Sequence, residues 1–124
     1  MYKICQTEQT AKRQRELENG LLQLMLKQRY DDISVSDLCE FLKIPRKCFY
    51  RYFSSKDGAL YALLDHTMTD FQMTENSDIS GKAPGDLDIY FSFWYERKKL
   101  LDALERSGLS GLLVERATHF ALQE

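Results

Sequence analysis

Residues 34–53 read SVSDLCEFLKIPRKCFYRYF, and this stretch carries the clearest structural pattern in the chain. Ser34 can cap a helix, Asp37 follows three residues later, and the apolar side chains behind them recur at helical spacing. The chain then turns, and Pro45 is tolerated at the first position of a helix because that position needs no N–H partner. The stretch therefore predicts a helix, a brief turn and a short second helix that runs from Pro45 to about Phe53.

The side chains of the short helix divide between two faces. Phe49 and Phe53 lie four residues apart and are expected to pack against the preceding helix. Arg46, Lys47 and Tyr50 fall on the opposite side. Arginine can bind the O6 and N7 atoms of guanine with two hydrogen bonds, while lysine and tyrosine suit phosphate oxygens. The second face is therefore a candidate DNA-contacting surface, and the alternative interpretation is an ordinary solvated helix face.

The charge of the whole chain hides a local excess of basic residues. The 124 residues carry 17 Lys and Arg against 19 Asp and Glu, and this net charge of −2 by itself speaks against nucleic-acid binding. Residues 1–66 hold 11 basic and 9 acidic side chains, whereas residues 67–124 hold 6 and 10. Residues 43–56 contain five basic residues and no acidic one. One of the five, Lys56, stands at the start of the next helix, where free N–H groups also favour an anion.

Helical periodicity continues on both sides of this stretch, so the expected fold class is all-α. Residues 7–29 are expected to form a first helix, and the SSKD sequence of residues 54–57 to cap a fourth. Residues 74–85 are poor in large apolar side chains and rich in turn-forming residues, which is typical of a linker. A long helix ending near Gly108 and a last helix follow. The buried stripe of the first helix is expected to comprise Leu17, Leu21, Leu24 and Met25.

These elements predict a two-part organisation. The predicted parts are a helix-turn-helix domain (1–54), a connecting helix (55–73), a linker loop (74–85) and a helical C-terminal domain (86–124).

Residues 30–64, YDDISVSDLCEFLKIPRKCFYRYFSSKDGALYALL, resemble the DNA-binding domain of the TetR/AcrR family of transcriptional repressors. The matching features are a tyrosine ending the first helix, the ISVSDL entry to the second, the FYRYF sequence of the third and SKD opening the fourth. The resemblance implies that Tyr50, Tyr52 and Lys56 hold phosphates, and that the exposed face around Arg46 contacts bases. The candidate DNA-binding residues are Ser34, Arg46, Lys47, Tyr50, Arg51, Tyr52 and Lys56.

The chain departs from the family pattern at two positions. Lys47 stands where the family usually has a small residue, and Pro45 where it often has serine. Both departures leave the target sequence open. The resemblance implies a palindromic operator in double-stranded DNA as partner, bound by a homodimer and released by a small-molecule effector. Because family members are longer, it also implies that the effector and dimerisation domain is only partly contained here.

An aromatic cluster marks the C-terminal half, with five of the 15 aromatic residues inside residues 90–95. Helical spacing places residues 90, 91 and 94 on one face. Since the C-terminal helices of the family bind an effector, the resemblance implies a pocket that includes Phe91 and Trp94. For any one of these rings, an ordinary helix–helix core is the alternative.

Other classes of function find little support in the sequence. No nucleophile motif, P-loop or dinucleotide-binding pattern occurs, so we predict no catalytic residue, no enzymatic activity and no cofactor. His66 and His119 lack partners at ligand spacing, so no metal site is predicted. No apolar run reaches the roughly 18–20 residues of a membrane span, and the N-terminus lacks signal-peptide features. Three cysteines without a C-x-x-C pair suit a reducing cytoplasm.

The expected function is that of a sequence-specific transcriptional regulator, most simply a repressor. The alternative is a helical protein-interaction module that retains the helix-turn-helix only as structure. The two differ in whether the basic helix binds DNA.

Overall fold

Periodic apolar side chains and local caps fold the chain into helices. The structure, a computed structural model, describes residues 7–77 and 87–122 and confirms the all-α class. The elements are α1 (Glu8–Met25), a 3-10 turn (Tyr30–Asp32), α2 (Val35–Leu42), α3 (Arg46–Tyr50), α4 (Lys56–Ser77), α5 (Leu87–Glu96), α6 (Lys98–Arg106) and α7 (Ser110–Leu122). Contacts divide the chain into two compact units, residues 1–63 and 64–124. The boundary falls inside α4, so the predicted connecting helix contributes to both units.

The predicted apolar stripe of α1 lies in the core of the first unit. All four of its residues are buried, which confirms the prediction. At Gly20, an added Cβ atom would come within 2.8 Å of a side-chain carbon of Leu42. The missing side chain therefore lets α1 and α2 approach closely, although glycine costs about 1 kcal/mol of helix propensity relative to alanine.

Local hydrogen bonds hold both ends of α2. Ser34 Oγ accepts from the Asp37 N–H and Asp37 Oδ2 accepts from the Ser34 N–H, both at 3.0 Å, which confirms the predicted capping box. At the other end, Lys43 adopts a left-handed conformation with φ of 58°. The Ile44 N–H then donates to the carbonyl oxygen of Cys39 at 3.0 Å. This 6→1 bond closes α2 and directs the chain into α3 within a few residues.

Replacing Lys43 with glycine is expected to stabilise the first unit by about 0.5–1 kcal/mol. The left-handed conformation costs a residue with a side chain about 1–2 kcal/mol, whereas glycine loses roughly 0.5–1 kcal/mol more backbone entropy on folding. Urea denaturation followed by circular dichroism measures the difference. Lys12→Gly, an exposed position inside α1, is the control and should destabilise by about 1 kcal/mol. A Lys43→Gly midpoint at or below that of the parent chain would contradict the prediction.

Two helices of the first unit end earlier than predicted. α1 stops at Met25 rather than residue 29, because the Leu24 carbonyl oxygen accepts from the N–H groups of both Lys27 and Gln28 and so tightens the last turn. α3 covers Arg46–Tyr50 instead of residues 45–53. Pro45 is its extended N-cap rather than its first residue, and the chain leaves the helix through a turn after Tyr50.

The helix α4 differs from its prediction at both ends. Its start is capped one residue later than expected, since Ser55 Oγ accepts from the Gly58 N–H at 3.3 Å. At its C-terminal end it runs to Ser77, so residues 74–77 of the predicted linker are helical. None of these four is a glycine or proline, and nothing in their backbone preferences stops the helix. Residues 78–85 of the predicted linker lie outside the described residues.

In the second unit, two helices replace the single long helix predicted after the linker. α5 ends at Glu96 and α6 begins at Lys98. The Arg97 N–H donates to the Trp94 carbonyl oxygen, three residues back, while the Arg97 guanidinium donates to the Phe93 carbonyl oxygen at 3.4 Å. In a continuous α-helix the Phe93 carbonyl oxygen would accept from the Arg97 backbone N–H. Here it accepts from the Arg97 guanidinium instead. Neither glycine nor proline stands at this interruption, so the residue pattern did not predict it.

Two further features shape the second unit. α6 ends as predicted near Gly108, whose φ of 72° is easily adopted by glycine, and the Leu109 N–H donates back to the Leu104 carbonyl oxygen at 2.7 Å. Arg116 of α7 binds the Asp65 carboxylate through Nε at 2.9 Å and Nη2 at 2.5 Å. This paired hydrogen bond, in which both side chains are largely buried, ties α7 to the part of α4 that belongs to this unit.

Candidate nucleic-acid interface

The short helix α3 presents a basic face and anchors itself by an aromatic one. Arg46, Lys47 and Tyr50 are exposed, while Phe49 and Phe53 are fully buried. The predicted division of its side chains between two faces is therefore confirmed. Because the aromatic pair is withdrawn into the core, the basic residues are held on a structured surface rather than on a loose segment.

The Tyr50 ring packs against buried Phe49, which anchors α3 in the core. Its ring lies edge-on to that of Phe49, with centroids 5.3 Å apart and planes at 89°, an arrangement that aromatic rings favour. The Phe49 ring in turn lies 5.2 Å from that of Phe53. Tyr50 remains 47% exposed, so its ring is packed on one side and its polar end can meet a ligand.

Lys56, the first residue of α4, has a more defined setting than the sequence suggests. Its Nζ donates to the carbonyl oxygen of Tyr30 at 2.9 Å and lies 4.1 Å from the centre of the Tyr30 ring. An ammonium group carries three N–H donors, and this bond uses one of them. The lysine is half-buried, and lysines in such positions commonly pack their aliphatic stem while the charged end stays near water.

Ser34 and Arg51 flank the exposed face of α3 along the chain. Both residues are exposed. The Ser34 hydroxyl oxygen accepts the capping bond from Asp37, which leaves its O–H able to donate to another acceptor. Arg51 follows α3 directly, and its N–H donates to the Lys47 carbonyl oxygen at 3.1 Å. Both side chains stay compatible with the DNA contacts that the sequence predicts.

Tyr52 is the predicted contact residue whose position does not suit its role. Its side chain is 6% exposed and its ring lies 6.5 Å from that of Phe53. The expected phosphate contact came from the resemblance alone. The chain turns after Tyr50, and residue 52, three positions after buried Phe49, packs into the core. Tyr52 is therefore a core residue of the first unit, and the expectation that it holds a phosphate is corrected.

The sequence did not single out the contact between Tyr30 and Asp57. The Tyr30 hydroxyl donates to Asp57 Oδ1 at 2.5 Å. Burial of the ring and, after it, this carboxylate raise the pKa of the Tyr30 hydroxyl well above its ordinary value. The SKD sequence and the tyrosine before the helix-turn-helix were the available signals. Because Tyr30 and Asp57 are 27 positions apart, the sequence pattern did not indicate that they pair.

The predicted effector residues occupy different positions in the second unit. Phe91 is 62% exposed, whereas Phe93 is the buried ring of α5. Phe93 packs edge-on against Phe71, with centroids 5.0 Å apart, and the Arg97 guanidinium lies 3.6 Å from its centre. Half-buried Trp94 stacks on Phe71 at 6.2 Å. Phe91 and Trp94, which helical spacing places on one face, thus differ in exposure, because five aromatic residues in six positions give no single inward direction.

Comparisons with family models, with curated proteins and with solved structures find no match to this chain. No helix in the described part of the chain is long and apolar enough to cross a membrane. Within residues 7–77 and 87–122, no group of three or more His, Cys, Asp or Glu side chains could hold a metal ion. The features of this chain that indicate a function are the exposed basic face of α3 and the motif in residues 30–64.

Proposed function

We propose that this chain is a sequence-specific DNA-binding transcriptional regulator whose α3 enters the major groove. The observation that carries the proposal is the exposed set of Arg46, Lys47 and Tyr50 on a helix that buried Phe49 locks to the core. A helix joined to its predecessor by a tight turn is the usual element that inserts into the groove. Arg46, at the first position of α3, is suited to contact base edges, since recognition helices use their N-terminal residues for this purpose.

The charge distribution supports the same role. Residues 43–56 hold five basic side chains and no acidic one, and the last of the five, Lys56, is the first residue of α4. Phosphate contacts of this kind supply most of the affinity of DNA-binding proteins and set their register on the duplex. The acidic excess belongs to residues 67–124, outside this unit.

The remaining parts of the proposal come from the resemblance to the TetR/AcrR family. They are a cytoplasmic repressor, a palindromic operator bound by a homodimer, and release by a small-molecule effector. In the second unit, half-buried Trp94 beside Phe71 is the part of the aromatic cluster best suited to contribute to an effector site.

The salt dependence of DNA binding tests the proposal and separates charged from neutral contacts. In the log–log plot of affinity against salt, Lys56→Ala should lower the slope by up to about 0.9, because one counterion fewer is released. Tyr50→Phe should weaken binding by roughly twofold to tenfold while leaving the slope unchanged, since its hydroxyl is neutral. Fluorescence anisotropy with a labelled duplex of random sequence measures both.

Lys99→Ala, an exposed lysine of α6 in the second unit, is the control and should change neither affinity nor slope. Binding that is independent of salt and equal for all duplexes would contradict the proposal. A folded chain that shifts no duplex at low salt would favour the protein-interaction module instead.

A further inference from the structure

Tyr30 contacts the start of α4 with three different parts of one residue. Its main-chain carbonyl oxygen accepts from Lys56 Nζ at 2.9 Å, its ring lies 4.1 Å beneath the same ammonium, and its hydroxyl donates to Asp57 Oδ1 at 2.5 Å. Tyr30 is 5% exposed and belongs to the 3-10 turn that follows α1. All three residues lie in the first unit, so the arrangement is internal to it.

The contacts restrain a side chain that is otherwise flexible. A lysine side chain carries about 2 kcal/mol of rotamer entropy, which a phosphate contact would have to overcome at the moment of binding. Here a carbonyl oxygen and the negative face of an aromatic ring hold the ammonium before any ligand arrives. The bond from Tyr30 to Asp57 fixes the far end of the ring to the same helix turn, so the ring is fastened at its hydroxyl and at its backbone.

The geometry points to Tyr30 as a positioning residue that presents the Lys56 ammonium to a DNA phosphate. This inference rests on the proposed DNA-binding function and deepens it. Tyr30 itself is buried and makes no contact with the duplex. It acts through Lys56. One N–H of the Lys56 ammonium donates to the Tyr30 carbonyl oxygen, and this bond sets the direction of the other two N–H donors.

A double-mutant cycle between Tyr30 and Lys56 tests the inference. Tyr30→Leu removes the ring and is expected to weaken binding to a random-sequence duplex about threefold to tenfold in the parent background. In the Lys56→Met background, the same change should alter affinity by less than about twofold, which is the limit of ordinary additivity. Tyr30→Phe keeps the ring and the carbonyl oxygen, and is expected to restore affinity to within about twofold of the parent chain.

The free protein supplies a readout that does not depend on DNA. The ε-methylene protons of Lys56 lie near the ring face and should show an upfield ring-current shift by NMR. That shift should persist in Tyr30→Phe and vanish in Tyr30→Leu. Circular dichroism of each variant shows that it is folded at the temperature of the measurement.

The outcomes separate this inference from the function on which it rests. Equal weakening by Tyr30→Leu in both backgrounds would show a purely structural role and overturn the inference alone. Unchanged or tighter DNA binding by Tyr30→Leu would also overturn the inference. The contact of the Tyr30 ring with the Lys56 ammonium would then not favour binding to phosphate. A parent chain that binds no duplex at low salt, with the NMR shift in place, would overturn the proposed function and this inference with it.

Discussion

Alanine in place of Phe49 is expected to lower the free energy of unfolding of the first unit by about 3–5 kcal/mol. The Phe49 side chain is fully buried, and its ring contacts those of both Tyr50 and Phe53. Truncation removes the apolar transfer energy and leaves a cavity that α3, only five residues long, has little packing of its own to fill. Chemical denaturation followed by far-UV circular dichroism measures the loss.

Phe41→Ala is the matched control for this prediction. Phe41 lies on α2 and is 41% exposed, with Lys27 Nζ 5.5 Å from its ring centre. Because the ring already faces water in part, its truncation is expected to cost about 1 kcal/mol or less. DNA binding should be lost with Phe49→Ala and kept with Phe41→Ala. Similar unfolding energies for the two variants would show that α3 is not anchored through Phe49.

The helices that position the candidate interface could be predicted because their signals are local. The capping box at Ser34 and Asp37 joins residues three positions apart, and the stripe of α1 repeats every three or four residues. The burial of Phe49 opposite the exposed Arg46, Lys47 and Tyr50 followed from the same spacing, although Phe53, four positions on, lies beyond the end of α3. Gly20 lies where α1 and α2 approach closely, and Leu42 is the side chain that it accommodates.

The features that could not be predicted depend on contacts between residues far apart in the sequence, or on a helix interruption that no glycine or proline marks. The Tyr30 contacts with Lys56 and Asp57 join segments that only the tertiary fold brings together. The interruption between α5 and α6 arises because the Arg97 side chain takes over a carbonyl oxygen, a role that no propensity scale assigns to arginine. Tyr52 matches the motif in sequence, but in the structure it lies beyond the end of α3 and its side chain is buried.

Sequence preference, as distinct from affinity, is expected to depend most on Arg46. It is an exposed arginine at the first position of α3, where a recognition helix contacts base edges. A bidentate arginine–guanine contact discriminates by about 1–3 kcal/mol, so Arg46→Ala should weaken binding to the preferred duplex roughly 5- to 150-fold for each half-site that loses the contact. Selection from a randomised duplex pool identifies that duplex, and the same selection with Arg46→Ala should lose the preference at one base pair of each half-site.

Arg46→Lys separates the shape of the side chain from its charge. Lysine keeps the positive charge but lacks the planar fork that pairs with guanine O6 and N7, so this variant should lose most of the preference while retaining the salt dependence of the parent chain. Arg106→Ala, at an exposed position ending α6 in the second unit, is the control and should leave the selected sequence unchanged. If both variants instead select the parent sequence, and Arg46→Ala lowers the salt slope while Arg46→Lys keeps it, Arg46 contacts phosphate rather than a base.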